Sequence, residues 1–278
     1  MIKYHARSLP ATLLACIAST VLLLGAPNAM AWGFSSAVQG SGQVVTVNRT
    51  VNGIRGVSVE LPAEVTLVQA ATESVTLETD DNLVPLVETV VENGQLHIRK
   101  AEKQGELRAK TLRLTVTAPT FERLVVSGSG SLRAQALKAA TLKTSVAGSG
   151  RVRVDNLDAE TFKASIAGSG EMDVAGRADK TELSVAGSGD YRAAKLLARQ
   201  AKVSVAGSGD ATVFAQESLT ISVAGSGDVR YYGDAAVTQS IAGSGSVRYL
   251  GKVTPYGKSI NQVRGAAWVG TLSRNSTC

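Results

Sequence analysis

The stretch Ser184-Val185-Ala186-Gly187-Ser188-Gly189-Asp190, followed twenty residues on by Ser204-Val205-Ala206-Gly207-Ser208-Gly209-Asp210, decides how this chain folds. Gly-Ser-Gly recurs with its first glycine at Gly128, Gly148, Gly168, Gly187, Gly207, Gly225 and Gly243, at spacings of 20, 20, 19, 20, 18 and 18 residues. The six later copies extend to Ser-Val-Ala-Gly-Ser-Gly or Ser-Ile-Ala-Gly-Ser-Gly. Self-similarity at a near-constant period marks a repeat architecture and overrides chain length as a guide to domain count.

Working outward from the turn, the residues three before each motif serine are Leu142, Phe162, Thr181, Ala201, Leu219 and Val237. Those one before it are Thr144, Ala164, Leu183, Val203, Ile221 and Gln239. After the turn, Val152/Val154, Met172/Val174, Ala211/Val213, Val229/Tyr231 and Val247/Tyr249 continue the alternation. Apolar alternation bounded by glycine is the pattern of half-buried strands. Each unit therefore reads as strand, glycine turn, strand and a looser return. One unit cannot bury its own apolar face, so units must stack. The expected fold is all-β: a single-stranded parallel β-helix, or β-solenoid, whose coils of 18–20 residues lie ~4.8 Å apart. The repeat glycines are its structural turn residues, able to take positive φ and to let coils approach without a Cβ.

The chain divides accordingly. Residues 127–250 form the regular repeat. Residues 32–126 lack it but hold strand-like runs such as Val57-Ser58-Val59-Glu60-Leu61 and Leu112-Arg113-Leu114-Thr115-Val116, and read as irregular first coils that cap the stack. Asn93-Gly94 between two apolar runs predicts a tight hairpin. Residues 251–278, with Pro255 and Trp268, read as a terminal cap or loose tail.

Residues 1–31 read as a signal peptide: Lys3 and Arg7, an apolar run from Leu13 to Leu24, then Ala29-Met30-Ala31 before a mature start at Trp32. Lipidation at Cys16 is the alternative, but apolar sequence runs well past that cysteine. No later segment approaches the ~20 apolar residues of a membrane-spanning helix. The protein is expected to be exported, to the periplasm, the cell surface or the medium. After cleavage Cys278 is the single cysteine, so no intramolecular disulfide can form. Of 29 Lys and Arg against 23 Asp and Glu, the signal carries Lys3 and Arg7 and no acid, which leaves 27 against 23, or +4. That excess is spread along a chain with 4% aromatics, which argues against nucleic acid as a partner.

Four segments in order carry a family resemblance: Gly53-Ile54-Arg55-Gly56-Val57, the run from Val75 through Asp80-Asp81-Asn82 to Pro85, Glu92-Asn93-Gly94-Gln95-Leu96-His97-Ile98, and Leu124-Val125-Val126-Ser127-Gly128-Ser129-Gly130. Over about residues 44–250 the sequence resembles the auto-transporter adhesin head GIN domain family. The resemblance implies a β-helical domain in exported bacterial proteins, with no defined catalytic residues. The chain departs from it at Arg151 and Ser246, which stand where an acid often follows Gly-Ser-Gly.

Three residues after each first glycine stand Ser131, Arg151, Glu171, Asp190, Asp210, Asp228 and Ser246, so the fold stacks the acids of four consecutive coils. Unit charges ~4.8 Å apart repel by about 0.9 kcal/mol in water. The row Glu171, Asp190, Asp210, Asp228 must be relieved by cations, donors or proton uptake. Two residues on, Arg133, Arg153, Asp173, Arg192, Thr212, Arg230 and Arg248 share the outward face and make a solvated charge ladder the simple expectation. A calcium row is the metal alternative, though the spacing here is twice that of nine-residue calcium rolls.

Adjacent acids also approach the ~5 Å carboxylate separation of a retaining glycosidase, so a polysaccharide lyase or glycosidase is the enzymatic alternative. A ladder without an insertion loop offers no cleft for it. His97 is the only histidine after cleavage, which leaves no metal cluster and no Cys/His pair. Tyr191, Tyr231, Tyr232 and Tyr249 fall in the repeat and offer a stacking surface for sugars; Tyr231 and Tyr249 take inward positions and suit the core, and Tyr232 beside Arg230 is the better exposed candidate. The expected function is non-enzymatic: an exported module for adhesion or assembly, needing no cofactor, with a protein or glycan surface as partner, or another copy of itself.

Overall fold

A computed structural model describes residues 37–101 and 105–252. The expected signal segment, Cys16, Pro255, Trp268 and Cys278 lie outside the described residues. Between Gly-Ser-Gly turns the backbone stays extended for almost the whole coil, as Arg151–Gly168, Glu171–Gly187, Asp190–Gly207 and Asp210–Gly225. These strands pair in parallel with the coil before and after. The column Val126, Val146, Ile166, Val185, Val205, Val223, Ile241 and the turn column from Gly128 to Gly243 are each in unbroken register. The fold is the β-solenoid that the period requires.

Alternation sorts the side chains. Leu142, Phe162, Leu183, Val203, Leu219 and Ile221 on the face entering the turn, and Val152, Met172, Ala211 and Val229 on the face leaving it, are all buried. Each buried Val, Leu or Phe contributes roughly 1.5–3 kcal/mol relative to exposure, and only the neighbouring coils can bury it. The turns are paired too: Ser149 N–H donates to the Gly128 carbonyl at 2.9 Å, and the same bond repeats up the stack to Ser244 on Gly225 at 2.9 Å.

The return is better ordered than its sequence predicts. Leu137, Leu157 and Leu196, with Ala159, Ala178 and Ala198, are buried on a third strand face that pairs from coil to coil. Of the four register shifts among the paired coils from Arg151 to Gly225, three lie at or beside the corner leading onto this face, after Val154, Asp173 and Arg192, and the fourth follows Ala198 on the face itself. Spacings of 19 and 18 residues are absorbed there, which leaves the turns and the two main faces in step. At the shortest such corner Gly176 has φ +123, and a Cβ there would stand 2.1 Å from the Leu157 carbonyl oxygen.

The parallel ladder runs on into the irregular segment: Gly56–Val59 pairs with Arg123–Val126, and Glu64–Gln69 with Ser131–Ala134. The end is closed by antiparallel pairing. Val44–Arg49 lies on Ser74–Asp80, and Ser74–Asp80 on Leu112–Ala118. Val87–Glu92 and Gln95–Lys100 form the hairpin that Asn93-Gly94 predicts, with φ of 52° and 79° at the two turn residues. The 3-10 helix Asp81–Leu86 carries fully buried Leu83, and Arg49 donates to the Val84 and Val87 carbonyls at 2.8 and 2.7 Å. At the other end Ile241 and Tyr249, inward by alternation, are 41% and 48% exposed. Among the described residues no coil lies on them.

Tyr191 occupies the inward position between Met172 and Ala211 and is fully buried. Its hydroxyl has no partner among the described residues, and burial pushes its pKa up. An unpaired buried hydroxyl costs about 1–3 kcal/mol. Tyr191→Phe is therefore expected to raise the denaturant midpoint by the equivalent of about 1 kcal/mol. A lower midpoint would show that the hydroxyl has a partner in solution.

Candidate functional site

The structure brings the sequence-predicted acids together. Glu171, Asp190 and Asp210 are register partners on the face leaving the turn, with Arg151 before them, and Asp228 partners Ser246 one coil further on. Each acid is engaged. Glu171 meets Arg151 at 2.9 Å and Arg192 at 3.2 Å, and Asp190 meets Arg192 at 2.7 Å. Asp210 meets Arg230 at 3.2 Å; Asp228 meets Arg230 at 3.6 Å and accepts the Ser246 hydroxyl at 2.7 Å. The chain also makes donors of its own backbone, since Asp210 accepts Asp228 N–H at 3.2 Å and Asp228 accepts Ser246 N–H at 3.1 Å. Arg192, two residues beyond Asp190, reaches back to Glu171, whose own position two residues on is Asp173; where Thr212 follows Asp210, Arg230 of the next coil serves both Asp210 and Asp228.

These partners favour the ionised carboxylates. The hydrogen bond from Arg151, helped by the charge of Arg192, holds Glu171 below its ordinary range. The Ser246 hydroxyl does the same for Asp228. A carboxylate whose folded pKa is depressed contributes stability above its unfolded pKa and loses it as pH falls through the folded value. Stability should therefore be flat at neutral pH and decline below about pH 4, where unperturbed carboxylates protonate. In Glu171→Gln that decline should be shallower, measured as the denaturant midpoint between pH 7 and pH 2.5. An equally steep decline would show that the Glu171 pairs are too solvent-screened to matter.

Tyr249, expected in the core, is 48% exposed where no described coil covers it, and Tyr232, expected to be the exposed one, is the more buried of the two. Tyr231 and Tyr249 are register partners with ring centroids 5.2 Å apart, and Tyr232, half-buried, pairs with Gly251. His97 sits opposite Ser58 with Nδ1 3.3 Å from Glu60 Oε1, on an outward strand position.

Sequence reading missed a large concavity among the described residues. A groove of about 1100 Å³ runs beside the hairpin turn and the face entering the turns, with Arg55, Asn93, His97, Arg123, Thr141 and Lys143 among its walls. It shares Thr120, Lys138, Ala139 and Ala140 with a second hollow of about 680 Å³ along the return face. The signal was available: Arg123, Lys143, Lys163, Glu182, Lys202, Thr220 and Thr238 stand at one repeat position, two before the motif serine or its equivalent. Its significance needs the curvature of the coil, which no column of letters contains.

Residues 54–235 match the family model described as "Putative auto-transporter adhesin, head GIN domain". The chain belongs to that family. The match spans the hairpin, the first coils and all but the last of the repeats. Among solved structures, a putative adhesin from Bacteroides fragilis shares this fold at 23% identity, with a TM-score of 0.71 over 77% of this chain and 100% of its own. A putative lipid binding protein from Parabacteroides distasonis aligns at 25% identity and a TM-score of 0.68, again over 77% of this chain and 100% of its own. A putative adhesin from the same organism gives 25% and 0.65 over the same shares. No curated protein matches the chain. Among the described residues no helix is long and apolar enough to cross a membrane.

Proposed function

We propose that this GIN-domain chain is an exported, non-enzymatic module for adhesion or assembly, which presents the long outer surface of a rigid solenoid to a partner. The observation that carries the reading is the state of its acid row. Glu171, Asp190, Asp210 and Asp228 are each bound by an arginine on an open, repeating face. A general acid needs a raised pKa and a nucleophile needs a free oxygen facing a cleft, whereas Glu171 and Asp228 are held below their ordinary range. The adhesin-type family and its structural neighbours support the same reading, as does the basic and apolar N-terminus of the sequence.

Passed over an array of polysaccharides and extracellular proteins, the purified exported chain should be retained without releasing products. Reproducible depolymerisation of any glycan that disappears in Asp190→Asn/Asp210→Asn would replace this reading with a carbohydrate-active enzyme.

A further inference from the structure

We infer that the groove between the Asn93-Gly94 hairpin and the face entering the turns is a binding site for an acidic polysaccharide, one bearing carboxylate or sulfate groups. This goes beyond the adhesion reading and does not depend on it.

The fold leaves positive charge uncompensated in this groove. Arg123 and Lys143 are register partners on adjacent parallel coils, so their like charges are stacked at the ~4.8 Å spacing of the ladder. Elsewhere the solenoid relieves such stacking. Lys163, next in the same column, reaches Glu182 at 2.7 Å, and the arginines of the opposite face hold the acid row. Arg123 and Lys143 have no carboxylate partner among the described residues, and neither has Arg55, which enters the same groove beside Gly94. Of the two acids in the groove wall, Glu92 is already bound by Arg99 at 3.3 Å. Glu122 alone remains to oppose three unpaired cations. Guanidinium groups form bidentate bonds with planar or tetrahedral oxyanions, and an ammonium adds a point charge. An anion lodged between Arg123 and Lys143 would supply the relief that the protein withholds.

Shape selects the carrier of the anion. The groove's volume of about 1100 Å³ exceeds the ~300–1,000 Å³ of pockets that enclose a small ligand, and it opens into the neighbouring hollow along the return face. Such a trough suits a linear chain lying across several coils. Its uncharged walls include Asn93, Gln95, Thr120 and Thr141, which offer amides and hydroxyls to sugar hydroxyls. Phe121, the one Phe, Tyr or Trp in the wall, is buried, so the groove offers no phenyl, phenol or indole platform for stacking nucleic-acid bases. A concave trough also fits a polymer better than the plane of a membrane.

The test is calorimetric titration of the exported chain with polygalacturonate oligosaccharides, dextran sulfate and neutral dextran of matched length. Binding of either acidic polymer and not of dextran is expected, and which of the two binds identifies carboxylate or sulfate as the anion. Arg123→Gln/Lys143→Gln should weaken that binding at least tenfold. Lys202→Gln/Arg248→Gln, which removes equal charge from exposed positions outside both hollows, should leave it within twofold. Glu122→Gln should tighten it a few-fold. All three variants should keep the wild-type melt, since the changed side chains are exposed. Equal loss in the control pair, an unchanged Kd in Arg123→Gln/Lys143→Gln, or equal binding of neutral dextran would overturn the inference. So would tighter binding to single-stranded DNA or to phosphatidylglycerol vesicles than to both acidic polymers.

Discussion

Gly207→Val is expected to unfold at a far lower denaturant concentration than the wild type, while Ser208→Ala stays within about 0.5 kcal/mol of it. Gly207 has φ +121, and a Cβ there would stand 2.4 Å from the Gly187 carbonyl oxygen, closer than real Cβ contacts come. The obstacle is backbone of the preceding coil and cannot swing aside. Valine adds conformational strain of about 1–3 kcal/mol. Separating the coils also breaks Ser208 N–H to Gly187 O at 2.9 Å and disturbs Ser226 N–H to Gly207 O at 2.8 Å, at about 1 kcal/mol each. The sum is about 3 kcal/mol or more. Ser208 is exposed, and its hydroxyl makes no hydrogen bond among the described residues. Because each coil is buried only by its neighbours, loss should spread from the break in both directions. Urea melts of both variants decide the matter. A Gly207→Val midpoint equal to the wild type, at unchanged slope, would mean that the turn glycines are not what lets the coils approach.

Phe162→Ala should cost about 3–5 kcal/mol. Phe162 is fully buried on the face entering the turn, between Leu142 and Thr181 in its column, and the next coil offers only Ala201. Large and small residues thus share one layer of the core, and the ring fills what Thr181 and Ala201 leave. The backbone around it is pinned by pairing on both sides, so the cavity cannot collapse and the transfer and cavity penalties add. A loss below about 1.5 kcal/mol in the same urea series would show that the coils can close over the gap.

Local alternation and turn chemistry are properties of residues close in the chain, and these were legible. The period set by Gly128 through Gly243 required stacking, and the inward set from Leu142 to Val229 followed from counting in twos. Asn93-Gly94 announced its hairpin, and four short segments pointed to the family. The acid column was legible as well, because near-constant spacing turns sequence distance into spatial contact.

Where that spacing changes, sequence loses its hold, because register between coils is settled by the backbone bonds of the whole stack. The return strands, built on isolated leucines and alanines without bounding glycine, were stabilised only by pairing with their copies, and their corners took up the missing residues. Which arginine meets which acid depended on reach across coils: Arg230 holds Asp210 as well as Asp228. The antiparallel closure by Val44–Arg49 and the plug at Leu83 rest on contacts between segments 26 to 38 residues apart, which obey no repeat. The groove was least legible of all. Its cations come from Arg55, Arg123 and Lys143, and only the path of the coil around its corners turns three outward side chains toward one hollow.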